Sequence, residues 1–289
     1  MLIRRLVVIG VGLIGGSAAL ALRRIGQVGD VVGVGRSREN LELAYRRGII
    51  DRGTDDYAAA LEGADVVLVA TPVAQFPRIF EAIVPHLSAN TVVTDGGSTK
   101  RDVVAAARAA FGDQFRQFVP AHPIAGTEHS GAGAAFAELF EQRKVVIAPE
   151  SDTDPIATAR VRALWEATGA SVVQMSADRH DSIFAAVSHL PHLLAFGLVE
   201  ELAGRPDAKA YFDMAASGFR DFTRIAASSP EMWRDIALAN RDALLDELRR
   251  YRGQVERIET LLEQRDGDAL AKLFETARAA RAAWGERRS

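Results

Sequence analysis

The sequence predicts an α/β domain followed by an all-helical domain. Short apolar segments alternate with amphipathic helical segments up to residue 175, and the first of them runs into a glycine-rich turn. Past Ser176 the strand signals end, and apolar residues recur at helical spacing. We therefore expect a Rossmann-type dinucleotide-binding domain over residues 1–175 and a helical dimerisation domain over residues 176–289.

The glycine-rich turn lies in Leu6–Gly16, which reads LVVIGVGLIGG. Its first five residues are typical of a buried strand, and helical spacing continues over Ser17–Ile25. In the G-x-G-x-x-G spacing, the first glycine allows a tight turn, the second lets a pyrophosphate approach the backbone, and the third lets the helix pack on the strand. A purely structural turn is the alternative. The residues predicted to contact the dinucleotide here are Gly10, Gly12, Leu13, Ile14 and Gly15.

The end of the second strand, Val31–Val34, bears on the choice of cofactor. An acidic residue usually stands here in NAD-binding domains and accepts a hydrogen bond from the ribose 2′-hydroxyl. This chain instead has Arg36 and Ser37, which suit a 2′-phosphate, and no carboxylate before Glu39. NADP is therefore the preferred cofactor, and NAD stays possible. The alternative is that Arg36 and Arg38 are solvated loop charges.

Two further strands are predicted at Ala64–Ala70 and Thr91–Thr94, and polar residues follow each of them. Thr71 and Pro72 follow the first. Since ligands bind at the carboxyl ends of parallel strands, we assign both to the cofactor site. Ser98, in the segment DGGSTK after the second strand, is a candidate catalytic residue at the same edge. The alternative is that Ser98 only caps the helix that follows.

A fifth strand at Phe115–Pro120 leads into AHPIAGTEHSG, where polar side chains and glycines are denser than a connector needs. His122 lies in this segment at the predicted carboxyl edge of the sheet, where a nicotinamide ring would lie. Because histidine has a pKa near neutrality, His122 is a candidate base for a substrate hydroxyl. A purely structural histidine is the alternative. Further strands are predicted at Lys144–Ala148 and Val172–Met175.

In the second half, Asp181–Leu202 is predicted to form one long apolar helix that contains the segment SHLPH. Pro191 removes a backbone hydrogen bond inside it, so we expect a kink. His189 and His192 face one side of this helix, since they are three residues apart. Polar donors in a pocket wall are expected and no metal, because the chain has no Cys, no HExxH and no third ligand at a clear spacing.

A glycine-containing break between helices is predicted at Ser217–Arg224. Arg224 is a candidate to hold a substrate carboxylate, because its guanidinium can make two parallel hydrogen bonds. The alternative is surface pairing of Arg220 with Asp221 or other acids. Gln254–Ala280 is predicted to form charged amphipathic helices that serve as scaffold and dimer surface.

Composition excludes several classes of function. The chain has 289 residues, no Cys and a net charge of −3, so it offers no disulfide, thiolate metal site or cysteine nucleophile, and no electrostatic reason to bind nucleic acid. No apolar run reaches the roughly 18 residues of a membrane span, and the first strand leaves no room for a cleavable signal. We therefore expect a cytoplasmic protein with neither nucleic-acid nor membrane partners.

Taken together, the motifs resemble those of the prephenate dehydrogenases, a family that includes the arogenate and cyclohexadienyl dehydrogenases of tyrosine biosynthesis. The glycine fingerprint, DGGSTK, HPIAGTEHSG, SHLPH and GFRDFTRIAASSPEMW occur in that family's order along nearly the whole chain. The fingerprint is unspecific, whereas HPIAGTE, SHLPH and DFTRIA together are specific.

The resemblance implies an oxidative decarboxylation. Hydride leaves the ring carbon that bears the hydroxyl and goes to the nicotinamide, and carbon dioxide is lost as the ring becomes aromatic. It also implies that His122 polarises or deprotonates this hydroxyl, and that Ser98 hydrogen-bonds to the same oxygen and orients His122. Arg224 would bind a carboxylate of this small-molecule substrate. The other residues that the resemblance places at the substrate are Thr127, Glu128, His189, His192 and Trp233.

Several alternatives stay open. His192 favours prephenate as substrate, with arogenate as the alternative. A β-hydroxyacid dehydrogenase or imine reductase would use a lysine of the helical domain, where this chain has only Lys209 and Lys272, neither in a conspicuous motif. A nucleotide-sensing module without catalysis would leave the candidate catalytic residues scattered in space. Because we see no room for a regulatory domain, any feedback by tyrosine is expected to act at the active site.

Overall fold

The computed structural model describes residues 1–127 and 129–286. The chain divides into two compact units, Met1–Arg241 and the helical remainder from Asp242. This division falls at a different place from the predicted domain boundary after residue 175, which stays a prediction. The candidate site residues that the structure describes all lie in the first unit.

A parallel sheet forms the centre of the first unit. Within the described residues its strands are β1 (Ile3–Ile9), β2 (Val28–Val34), β3 (Arg52–Thr54), β4 (Val66–Val69), β5 (Val92–Asp95) and β6 (Phe118–Val119). Their order is β3-β2-β1-β4-β5-β6, so the direction of winding reverses between β1 and β4. In open parallel sheets, ligands bind at such a reversal, outside the carboxyl ends of the strands.

Helices cover both faces of this sheet. They are α1 (Leu13–Arg24), α2 (Arg38–Arg46), α3 (Tyr57–Leu61), α4 (Phe76–Ile83), α5 (Arg101–Phe111) and α6 (Pro155–Ala167). Successive side chains of β1 alternate between two cores, as the pleat of a strand requires. Leu6 and Val8 pack in the core that contains Trp165. Val7 and Ile9 pack in the core that contains Phe80.

A second sheet follows the first. Its strands are β7 (Ala121–Pro123), β8 (Lys144–Ile147) and β9 (Ser171–Gln174). The β7 strand is antiparallel to β8, with His122 opposite Val146. We expected His122 to lie at the carboxyl edge of the sheet after the fifth strand; it does follow β6, but it lies in a strand of a second sheet that was not predicted. Pro120 has no N–H to continue the pairing of β6, so the chain leaves the first sheet there and His122 joins the second.

The predicted long apolar helix is present with one irregular turn. It consists of α7 (Ala177–Phe184), a π-helical turn over Ala185–His189, and α8 (Leu190–Ala203). The irregularity expected at Pro191 therefore takes the form of a wide turn directly before it. Pro191 itself lies in the first turn of α8, where a missing N–H removes no regular helical bond.

This continuous stretch spans 27 residues, and an 18-residue window within it has a mean hydropathy of 1.6, which by length and composition is enough to cross a membrane. Our expectation that no apolar segment is long enough was therefore wrong, because a membrane-length window tolerates a few charged residues. Three polar side chains of the stretch, His180, Asp181 and His189, are buried inside the protein. These three residues pack within the protein core, whereas α8 buries only Leu190 and Ala195.

The rest of the described chain is helical. Its elements are α9 (Ala208–Met214), α10 (Ser217–Thr223), α11 (Pro230–Ala239), α12 (Arg241–Glu263) and α13 (Gly267–Glu286). The helices predicted within Gln254–Ala280 are confirmed by α12 and α13. The predicted break at Ser217–Arg224 is wrong, because Gly218 is accommodated in the first turn of α10 and a single 3₁₀ turn follows from Arg224.

Candidate active site

The glycine-rich turn has the geometry that its spacing predicts. Gly10 has a φ of +94°, and a Cβ there would lie 2.6 Å from the carbonyl oxygen of Ala70. A Cβ on Gly15 would lie 2.5 Å from the Gly10 oxygen and 2.6 Å from the side chain of Val8, because α1 packs directly on β1. A Cβ on Gly12 would meet nothing within 4 Å. The turn is therefore open at the second glycine, where a pyrophosphate would approach.

The groups around this turn fit a dinucleotide. The first turn of α1 has no acidic residue, and its N–H groups, which include those of Leu13 and Ile14, lack intrahelical acceptors and could therefore bind an anion. At the end of β4, the Thr71 hydroxyl is buried without a hydrogen-bond partner among the described residues. A bound ligand commonly satisfies such a group. Pro72 follows it and begins a 3₁₀ turn.

Arg36 and Ser37 lie exposed after β2. The Ser37 hydroxyl accepts a hydrogen bond from the Asn40 N–H at 3.2 Å and so caps α2. Burial raises the pKa of the Tyr57 phenol, and the nearby guanidinium groups of Arg78 and Arg36 oppose this rise. Two arginines from different elements therefore lie near the Tyr57 phenol.

His122 contacts a second histidine that the sequence analysis missed. Its Nδ1 lies 2.7 Å from Nε2 of His180, and Nδ1 of His180 lies 2.7 Å from Oδ1 of Asp181. The ring of Phe184 packs against both imidazoles, at 5.0 Å from His122 and 4.5 Å from His180 between ring centroids. His180 and Asp181 are fully buried, whereas His122 is half-buried. His122 is therefore the accessible end of a chain of hydrogen bonds that ends on a carboxylate.

The Asp181 carboxylate is held by the start of α5. It accepts hydrogen bonds from the N–H groups of Lys100 at 2.8 Å and Arg101 at 2.9 Å, which have no acceptor within their own helix. Burial by itself would raise the pKa of Asp181, but hydrogen bonds from His180 and these two N–H groups outweigh it and lower the pKa. The carboxylate is therefore ionised at neutral pH.

Lys100 and Asp95 form a fully buried ion pair beside this chain of hydrogen bonds. The Lys100 ammonium also donates to the carbonyl oxygen of Ala121 at 2.7 Å. Asp95 accepts from the N–H groups of Gly97 at 2.8 Å and Ala121 at 2.9 Å. The pair thus ties the end of β5 to the start of β7. Neither residue was a candidate, although two opposite charges around a Gly-Gly-Ser-Thr turn were visible in the sequence.

Ser98 does not orient His122, contrary to what the resemblance implied. Within the described residues, the hydrogen-bond partner of His122 is His180, and the Ser98 hydroxyl has none. Ser98 also does not cap α5, because Lys100 occupies the cap position and Asp181 accepts from its N–H. The half-buried Ser98 hydroxyl is free to bind a ligand.

Burial keeps the histidines of this region neutral. It lowers the pKa of His122 well below its usual value, and the neighbouring His180, Lys100 and His189 add to this effect. Burial also lowers the pKa of His180, although Asp181 opposes the change. The pKa of His189 falls to about 4, again mainly through burial. All three imidazoles are therefore unprotonated bases or neutral donors at pH 7.

His189 is held in one tautomer by Asn240, a fully buried residue that the sequence analysis also missed. Nδ2 of Asn240 donates to the carbonyl oxygen of Asp181 at 2.8 Å and lies 3.1 Å from Nδ1 of His189. Oδ1 of Asn240 accepts from Arg101 at 2.9 Å, which fixes the orientation of the amide. Nδ1 of His189 is therefore an acceptor, and its Nε2 carries the proton.

Two other predicted substrate residues, His189 and His192, lie against Trp233. The His192 ring stacks on Trp233 at a centroid distance of 3.5 Å, and His189 meets the same indole edge-on at 6.1 Å. Nδ1 of His192 donates to the Ser188 carbonyl oxygen at 2.9 Å, which leaves a lone pair on Nε2. Burial lowers the pKa of His192, and the nearby Arg224 adds to this effect.

The arginine of this group has no ion-pair partner in the part of the chain that the structure describes. Arg224 is exposed, and within the described residues neither it nor Arg220 forms an ion pair with a carboxylate. The alternative of surface pairing at Arg220 and Asp221 is therefore not what the structure has. In the described part of the chain, no group of three His, Asp or Glu side chains is arranged to hold a metal ion.

Two predicted substrate residues follow β7. The exposed Thr127 accepts a hydrogen bond on its hydroxyl from the N–H of His129 at 3.2 Å. Glu128 lies outside the described residues. Of the lysines that another class of oxidoreductase would need, Lys209 pairs with Asp213 at 2.5 Å on the surface and Lys272 is exposed.

Comparison with known proteins gives consistent matches. The family described as "Prephenate dehydrogenase, nucleotide-binding domain" matches residues 18–174, and "Prephenate dehydrogenase, dimerization domain" matches residues 176–276. The chain is 37% identical over 274 residues to prephenate dehydrogenase of Bacillus subtilis, across 93% of this chain and 73% of that protein. It is 34% identical over 282 residues to cyclohexadienyl dehydrogenase of Zymomonas mobilis, across 97% and 96% of the two chains.

A solved structure matches over the same length. The crystal structure of prephenate dehydrogenase from A. aeolicus, in complex with hydroxyphenyl propionate and NAD+, superposes with a TM-score of 0.91. It is 35% identical in sequence, and the match covers 97% of this chain and 98% of that one. Both the parallel-sheet region and the helical region therefore have counterparts in a single known protein.

Proposed function

Because the chain belongs to the prephenate dehydrogenase family, we propose that it converts prephenate to 4-hydroxyphenylpyruvate by oxidative decarboxylation, a step of tyrosine biosynthesis. The observation that supports this most is the convergence of His122 with the SHLPH histidines. His122 and His189 are joined through His180, Asp181 and Asn240 by hydrogen bonds, and Trp233 and Arg224 complete the group. A nucleotide-sensing module would not need these groups together.

Each of the candidate site residues has a distinct part in the proposed reaction. When bound, the nicotinamide supplies the hydride acceptor, and loss of carbon dioxide from the ring leaves an aromatic product. Nε2 of His122 accepts the proton of the substrate's ring hydroxyl. Loss of this proton raises electron density at the carbon that loses hydride. The free Ser98 hydroxyl bonds to the same oxygen. His189 donates from Nε2–H, and Arg224 grips a substrate carboxylate with two parallel hydrogen bonds.

We infer that NADP is preferred over NAD. Arg36 stands where NAD-binding domains usually have a carboxylate, and Arg78 brings a second guanidinium to the same end of the site. Two guanidinium groups are well suited to the two negative charges of a 2′-phosphate. The A. aeolicus relative was crystallised with NAD+, so NAD as a second cofactor fits this proposal.

The test is a four-way assay of the purified chain with prephenate or arogenate, each with NAD or NADP, followed at the absorbance of reduced nicotinamide. Turnover of prephenate with NADP is expected to be fastest, and Arg36→Ala is expected to lower kcat/KM with NADP more than with NAD. Turnover with NAD but not with NADP would support the proposed reaction and contradict the role of Arg36 in cofactor preference. No turnover in any of the four mixtures would favour the sensing module.

Arogenate is the second candidate substrate, and one observation favours it. Neutral His192 presents a lone pair on Nε2, which suits the ammonium of arogenate better than the keto group of prephenate. The expectation that His192 favours prephenate stays a prediction. His192→Phe keeps a ring on Trp233 but removes the acceptor. It is expected to lower kcat/KM for arogenate more than for prephenate if the ammonium binds there.

We further propose that the chain forms a homodimer through its helical region and acts in the cytoplasm. The family match to a dimerization domain supports the dimer. So do large apolar side chains that are exposed in a single copy, among them Val187, Phe222 and Leu238. Light scattering on the eluted peak of a size-exclusion column is expected to give twice the mass of 31.2 kDa. A monomer at micromolar concentration would contradict the dimer.

A further inference from the structure

We propose that His180 and Asp181 are positioning residues that hold His122 in the tautomer with its lone pair on Nε2. The structural part of this inference stands alone, and its catalytic consequence rests on the proposed function. His180 and Asp181 are fully buried, so neither is placed to touch a substrate. They act on the reaction through the ring of His122.

The chain of hydrogen bonds has a fixed direction because it begins at a carboxylate. An ionised carboxylate only accepts hydrogen bonds, so Nδ1 of His180, which lies 2.7 Å from Oδ1 of Asp181, must carry a proton. Asp181 cannot turn away from this contact, since the N–H groups of Lys100 and Arg101 hold both of its oxygens. The cap of α5 therefore also fixes the tautomer of His180.

The tautomer of His180 in turn determines which nitrogen of His122 carries the proton. A neutral imidazole has one donor nitrogen and one acceptor nitrogen, so Nε2 of His180 is an acceptor. The atom that faces it at 2.7 Å, Nδ1 of His122, must donate. Nε2 of His122 is therefore left with a lone pair, and it has no hydrogen-bond partner among the described residues. This is the protonation state that a base for a hydroxyl proton requires.

The same contacts stabilise His122 after it has accepted a proton. The imidazolium then carries protons on both nitrogens, and its Nδ1–H still donates to His180, which still donates to Asp181. The new positive charge thus lies two hydrogen bonds from a negative charge in a buried setting, where electrostatic interactions are strong. Lys100 lies close enough to oppose the charge, which makes the Asp181 carboxylate more important.

Two substitutions at His180 separate this role from simple packing. His180→Gln places an amide donor toward Asp181 and an amide oxygen toward His122, so it preserves the direction of the hydrogen bonds. His180→Leu fills space but preserves neither contact. We expect His180→Leu to lower kcat on the order of 10²-fold with little change in the KM for prephenate, because a general base in the wrong tautomer is lost. His180→Gln is expected to stay within a few-fold of wild type.

The second measurement does not depend on turnover. Nitrogen-15 NMR of histidine-labelled protein reports which ring nitrogen is protonated, and comparison with His122→Asn identifies the His122 signals. The Nδ1–H tautomer is expected in wild type and in His180→Gln, and a shift toward Nε2–H in His180→Leu. The exposed His86→Gln is the matched control and is expected to leave both readouts unchanged.

The outcomes separate this inference from the proposed function. An Nε2–H tautomer of His122 in wild type would overturn the inference, even if His180→Leu failed to fold. An unchanged tautomer and unchanged kcat in a folded His180→Leu would overturn it as well. If no substrate pair turned over but the NMR pattern appeared as expected, the proposed function would fail while the positioning of His122 stood.

Discussion

At the glycine-rich turn the groups offered to a ligand are backbone N–H groups, whereas at the histidine cluster they are side chains. The turn is built within Gly10–Gly15, and its shape is kept by atoms that leave no room for a Cβ. The cluster draws on β7, α5, α7 and the Asn240 position after α11, and its shape is kept by hydrogen bonds between them. The shape of the turn therefore depends on the lack of room for side chains, whereas the properties of the cluster depend on which nitrogen atoms carry protons.

The difference has a consequence for how each region fails. A substitution in the turn acts where it is made, by filling space or by straining one backbone angle. A substitution in the cluster acts at a distance, because Asp181 and Asn240 set the protonation of rings they support without meeting the substrate. The following predictions test this contrast, from the largest expected effect to the smallest.

His122→Asn is expected to reduce kcat by about 10²- to 10⁴-fold, the usual contribution of a general base. The variant should fold and bind the dinucleotide as wild type does, because the glycine-rich turn is untouched. Steady-state kinetics and calorimetric titration with NADP measure the two effects. The control is His86→Asn, an exposed site. Full turnover by His122→Asn would remove His122 from the reaction.

Two alanine substitutions in the turn should affect different properties, one the stability of the fold and the other the binding of the cofactor. Gly10→Ala forces a side chain onto a φ of +94° and against Ala70, so we expect it to cost roughly 1–3 kcal/mol of stability or more. Gly12 has a φ of −111°, and a Cβ there would meet nothing within 4 Å. The Gly12→Ala variant should therefore have the unfolding temperature of wild type but bind NADP more weakly. Thermal unfolding with and without NADP distinguishes them. Equal destabilisation by both would contradict the geometry.

Arg224→Ala is expected to raise the KM for prephenate by roughly 10- to 100-fold, since a charged hydrogen-bonded contact is worth about 1.5–3 kcal/mol. A smaller effect on kcat is expected, because Arg224 binds the carboxylate rather than the reacting hydroxyl. Arg220→Ala, an exposed arginine on α10, is the matched control. A loss confined to kcat would show that Arg224 has a different role.

The cluster should also weaken the fold in acid. The pKa values of His122, His180 and His189 are depressed below 6.5 in the folded chain, so the unfolded chain binds protons first as the pH falls. The free energy of unfolding should therefore decline from about pH 6.5 downward, and for His189 until about pH 4. The lowered pKa of His189 alone contributes at most about 3 kcal/mol to this decline in the free energy of unfolding. Urea unfolding across this range measures it, and His189→Gln should flatten the decline relative to His86→Gln.

Local features of the molecule were predictable from the sequence. The need for glycine at Gly10 and Gly15 follows from spacing within a few residues, because tight turns are decided by neighbouring positions. The short strands β3 and β7 were missed. Each has three residues, too few for a periodic pattern to show.

The arrangement of the candidate site was only partly predictable. His122, His189, His192, Trp233 and Arg224 were each proposed, but no local pattern says that His180 lies against a residue 58 positions earlier. Asp181 meets the start of a helix 81 positions earlier, which depends on how α7 packs on α5. The only sequence signal was an adjacent His-Asp pair at the start of a predicted helix.

The π-helical turn over Ala185–His189 makes the number of residues in this part of the chain a functional constraint. Each residue of an α-helix turns the chain by about 100°, so deletion of a single residue here would rotate α7 against α8 by about that angle. His180 would then no longer face His122 while His189 and His192 faced Trp233. Deletion of Ala186 should therefore abolish activity, although it would remove only a small apolar side chain.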